Sequence, residues 1–85
     1  MIESMIEPMG PSCEQVRYRF ANGNWHAPQK WDDAIPLANM ILQKINEATG
    51  DTITFVLHDC QYTLTIKEAT EFKDEFYRLN EKYNK

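Results

Sequence analysis

The sequence has only three glycines, two cysteines and no long apolar run, and each shortage removes a class of function. Gly10, Gly23 and Gly50 stand alone. A P-loop or a dinucleotide fingerprint needs clustered glycines so that backbone N–H groups can close on phosphate oxygens, so both are excluded. Every apolar run falls far short of the roughly 20 residues that span a bilayer. The first eight residues carry Glu3 and Glu7 where a secretory signal needs a basic end and an apolar stretch. There is no Asn-x-Ser/Thr acceptor either, and the chain reads as cytoplasmic. With Cys13 and Cys60 far apart in such a chain, two free thiols are the expected state.

Positive charge is also scarce. Nine basic residues face 13 acidic ones, for a net charge of −4. Nucleic-acid binding is driven by Lys and Arg displacing counterions from phosphates, and this balance has the wrong sign. The exception is residues 13–30, where Arg17, Arg19 and Lys30 outnumber Glu14. What the chain does have is core-forming material: 42% hydrophobic and 12% aromatic residues in 85, enough for one small folded domain.

Residues 1–12 show no sustained period and are broken by Pro8, Gly10 and Pro11, so they read as a flexible leader in which Met5 or Met9 could serve as the start. From residue 13 a single α+β domain is expected to run to residue 85. Val16, Tyr18 and Phe20 alternate with Gln15, Arg17 and Arg19, the pattern of a half-buried strand. Asn22-Gly23 is a hairpin signal, with Trp25 and Ala27 on a short returning strand that Pro28 ends. Trp31, Ile35, Ala38, Ile41, Leu42, Ile45 and Ala48 form one helical stripe, opened by Asp32 and Asp33 and closed by Gly50 in the left-handed region. Ile53, Phe55 and Leu57, then Tyr62, Leu64 and Ile66, predict a second hairpin turning within His58–Gln61. Thr65-x-x-Glu68 is a capping box for a last helix carrying Ala69, Phe72, Phe76, Leu79 and Tyr83 inward.

The expected architecture is therefore ββαββα: a four-stranded, mostly antiparallel sheet with two helices packed on one face. The two halves align at an offset of about 37 residues, Val16 with Ile53 and Tyr18 with Phe55, as a duplicated ββα unit would.

No constellation points to catalysis, and the chain is read as a non-enzyme without a cofactor. Cys13, His26, His58 and Cys60 are the right ligand types for zinc, but their spacing is poor. His58 and Cys60 are the only close pair, which leaves a small metal- or thiol-dependent site there as the alternative function. Binding of a nucleotide at a dimer cleft is a further alternative that no spacing supports. The outward strand positions hold no aromatic residue on which bases could stack, which again argues against nucleic acid. They present threonine and arginine, and partly exposed Trp and Arg are common interface anchors. Arg17, Arg19, Trp25 and Thr63 are the expected contacts, with another protein and with a second copy in a homo-oligomer. In type, the short length, element order and absence of catalytic machinery resemble small phage or mobile-element proteins that bind and inhibit or modulate another protein.

Overall fold

A computed structural model describes residues 5–20 and 23–84. Its elements are β1 (Ile6–Met9), β2 (Gln15–Tyr18), β3 (Gln29–Lys30), α1 (Trp31–Glu47), β4 (Thr52–Leu57), β5 (Cys60–Thr65) and α2 (Ile66–Tyr83). The chain is α+β, with two helices and two small antiparallel sheets. One sheet has the order β1-β2-β3 and the other pairs β4 with β5, so the single four-stranded sheet expected from the pattern is replaced by two.

The first departure from expectation is at the N-terminus. Residues 6–9 form an edge strand rather than part of a flexible leader, with Ile6 opposite Tyr18 and Glu7 opposite Arg17. Pro8 fits there because an edge strand can leave one side of its backbone unpaired, so the missing N–H costs no ladder bond. The loop back to β2 uses Gly10 at φ +93° and Cys13 at φ +54°, closed by a bond from the Cys13 N–H to the Gly10 carbonyl at 3.1 Å. The Gly10-Pro11 pair is thus hairpin chemistry.

The second departure lies in the return from β2. Trp25 and Ala27 are not in a strand, and β2 pairs instead with Gln29 and Lys30, beyond Pro28. The Gly23 N–H donates to the Phe20 carbonyl at 3.0 Å. Asn22, the other half of the predicted turn, lies outside the described residues.

In α1 the N-cap is Lys30, without a side-chain bond, and Asp32 and Asp33 sit in the first turn, where their charge favours the helix dipole. Pro36 lies just past the first turn, where it cannot donate to the Asp32 carbonyl. The helix ends through an extended Ala48, and Gly50 is not left-handed, so the predicted glycine closure is absent. In α2 the capping box is present as read, with Glu68 N–H donating to Thr65 Oγ1 at 3.0 Å and Thr65 N–H donating to Glu68 Oε1 at 2.9 Å.

The second hairpin matches its inward pattern from Ile53 to Leu64, but Cys60 and Gln61 already belong to β5 and Ile66 opens α2. Ile53 faces Leu64, Phe55 faces Tyr62, and Leu57 faces Cys60 across a two-residue turn. His58 and Asp59 take φ +51° and +65°, a turn that glycine or asparagine would occupy with less strain. Asp59→Gly is accordingly expected to raise stability by about 0.5–1 kcal/mol in urea denaturation, because the left-handed cost of a Cβ, roughly 1–2 kcal/mol, is partly offset by the greater backbone entropy glycine loses on folding. An unchanged or lower midpoint would show that this turn is unstrained.

The core lies where both helices meet both sheets. Val16 and Ile41 are fully covered, as are Phe72 and Phe76 of α2. Trp31, the first residue of the helical stripe, is 1% exposed, and its indole N–H donates to the Cys13 carbonyl at 2.8 Å, satisfying its polar atom in the interior. The helices are also tied at their surfaces, Tyr77 Oη donating to Asn39 Oδ1 at 2.6 Å and Asn84 Nδ2 to Asp32 Oδ1 at 2.8 Å.

Candidate docking face

The alternation of β2 decides what this face can offer. Val16 and Tyr18 go inward, so Arg17 and Arg19 are placed on the other side, each half-buried. The link from β2 to β3 then brings Trp25 against them. The guanidinium carbon of Arg17 lies 4.3 Å from the Trp25 ring centroid and that of Arg19 lies 4.7 Å from it. A guanidinium held over an indole ring gains an attraction worth about 0.5–1 kcal/mol at an exposed site. Arg17 also pairs with Glu7 directly across the strand at 2.8 Å, while its Nε is buried without a hydrogen bond. Three of the four predicted contacts, Arg17, Arg19 and Trp25, therefore form one ledge. Glu7 belongs to the same ledge, and reading residues 1–12 as a leader concealed it.

Thr63 stands apart, on the two-stranded sheet. It sits opposite Thr54, with the two hydroxyls 3.3 Å apart, on an outward face that also carries Val56, 68% exposed. Val56 is the one exposed large hydrophobic residue among those described.

On the inner side of the same link, His26 packs among aromatic rings. Its ring stacks on Tyr18 at 4.8 Å between centroids, and its Nε2 lies 3.3 Å from the Tyr62 hydroxyl. The His58 ring is 5.4 Å away. Burial first, and the neighbouring His58 second, hold the His26 imidazole below its usual proton affinity. Burial likewise pushes the Tyr18 phenol up, with the Gln29 side chain opposing.

Of the four zinc-type residues, the fold brings His26 and His58 together. Cys13 uses its carbonyl on Trp31, and both cysteines are free thiols, Cys60 being exposed. Among the described residues no group of three or more His, Cys, Asp or Glu side chains is placed to hold a metal ion. No described helix is long and apolar enough to cross a membrane.

In comparisons with known proteins, no family model, no curated protein and no solved structure matches this chain.

Proposed function

We propose that this chain is a small non-enzymatic protein-binding module, of the inhibitor or modulator type, that acts by docking on another protein through the Arg17–Trp25–Arg19 ledge. The observation that carries the reading is the packing of two guanidinium groups against one half-buried indole. Trp and Arg are the residue types that dominate binding energy at protein interfaces. Holding them in place before a partner arrives removes part of the ordering cost of association. The second element of the proposal is self-association through the β4–β5 face, with Thr63 and Val56 in contact. A two-stranded sheet is marginal alone and gains from further cover, and its outward side carries the one exposed large hydrophobic residue among those described.

Affinity capture from cells that produce the protein tests the docking role. The intact chain is expected to retain a specific partner, and Trp25→Ala, shown by circular dichroism to be folded, to lose it. Retention unchanged by Trp25→Ala would contradict the ledge. Light scattering tests self-association: a dimer mass that Val56→Asp reduces to a monomer supports it, and a monomer at every accessible concentration removes it.

A further inference from the structure

Residues 24–28 run from β2 towards β3 without strand pairing, and they are fastened by two successive side chains. Trp25 lies outward against Arg17 and Arg19, and His26 lies inward against Tyr18, Phe20 and Tyr62. Neighbouring residues of an extended chain point to opposite sides, so whatever holds His26 in also holds Trp25 out. The inner hold has three parts. The His26 backbone N–H donates to the Tyr18 carbonyl at 2.8 Å, the ring stacks on Tyr18, and Nε2 meets the Tyr62 hydroxyl.

We infer that His26 is an acid-operated fastener of the docking ledge: when its ring gains a proton beside His58, the 24–28 link loosens and Trp25 leaves the arginines. This regulation rests on the docking role proposed above. The groups facing the ring are Tyr18 from β2, Tyr62 from β5 and His58 from the β4–β5 turn. From α1, Asp33 lines the groove that Tyr18 and His58 also line. Among the described residues no carboxylate makes an ion pair or a hydrogen bond with His26. A proton gained here therefore meets a partly desolvated site beside the His58 ring, instead of a counter-charge. Burial and His58 lower the proton affinity of His26 in the folded chain, so the unfolded or loosened link binds the proton more readily. The fastening is then complete at neutral pH and above, and is lost as pH falls below about 6.5 towards the lower folded value.

The test is an NMR titration of the full chain from neutral pH down to about pH 5, following both histidine rings and both indole N–H signals. The Trp25 signal is expected to move with the same midpoint as the His26 ring, while the Trp31 signal, whose N–H is bonded inside the core, stays fixed. His58→Gln is expected to raise the His26 midpoint by removing the neighbouring like charge. His26→Phe, which keeps an aromatic ring without a proton site, is expected to make the Trp25 signal independent of pH. A Trp25 signal that stays still while His26 titrates overturns the inference, as does one that still moves in His26→Phe. Should His26→Phe fail to fold, a Trp25 midpoint that differs from that of the His26 ring in the unsubstituted chain overturns it instead. No partner enters this measurement, so its failure leaves the docking role standing, and failed capture leaves the fastener standing.

Discussion

Phe72→Ala is expected to bring the protein close to unfolding at 25 °C. Phe72 is 1% exposed and touches Tyr18 and Phe20 of the first sheet's segment and Phe76 on its own helix, with ring centroids at 6.0, 5.2 and 6.1 Å. Emptying such a site costs about 3–5 kcal/mol, the transfer free energy of the ring plus the unfilled cavity. A domain of this length has about 4–13 kcal/mol in all. Urea denaturation should show a much lower midpoint, and thermal melting a fall of more than about 12 °C. Val56→Ala, on the exposed outer face, is the control and should change stability by less than about 0.5 kcal/mol in the monomer. Equal effects of the two substitutions would mean that the aromatic centre is not where the fold is held.

Removing residues 1–8 should have an effect of similar size. The described part of that segment includes Met5 and Ile6, 8% and 3% exposed, and covering such side chains is worth about 1.5–3 kcal/mol each. The deletion also takes away the Glu7 carboxylate that pairs with Arg17 and the Met5 carbonyl that accepts from the Arg19 N–H at 2.9 Å. The shortened chain is expected to lose about 3–6 kcal/mol and to melt with reduced cooperativity in calorimetry. A flexible leader would give no change, so this deletion separates the two descriptions of the N-terminus.

That segment also shows why part of the fold was legible in the residues and part was not. Strict alternation made β4, β5 and the inward side of β2 readable. Val16, Phe55 and Leu64 are all buried as the pattern requires. The helical stripes and the Thr65–Glu68 capping box were equally plain, because each is a local arrangement with its own periodicity or hydrogen bonds. β1 was not legible. Four residues broken by Pro8 carry too little alternation, and what makes them a strand is their partner, Gln15–Tyr18, across the Gly10 turn. The returning strand expected at Trp25 and Ala27 was misplaced for a related reason: pairing was decided farther on, where Gln29 and Lys30 run directly into α1. Two sheets in place of one follow from the same strands, since alternation fixes which face is covered but not which strands are neighbours.

Of the candidate site, the residue types were readable and their assembly only in part. Arg17 and Arg19 follow from the β2 alternation, whereas the approach of Trp25 depends on an irregular link that no period describes. His26 was considered only as a metal ligand. Its position against Tyr18 and Tyr62, next to a tryptophan held by the arginines, is the signal for the proposed fastener, and that signal appears only once the course of the link is known.

The central claim is that the ledge of Arg17, Trp25 and Arg19 meets another protein, and site-directed photo-crosslinking in the producing cell tests it most directly. With a photoreactive residue in place of Gln15, on the same side of β2, the account predicts a covalent adduct with one protein that disappears when Trp25 is changed to alanine. The same residue placed at Glu47, at the far end of α1, should give none. No adduct at position 15, or adducts that survive Trp25→Ala and form equally from position 47, would contradict it.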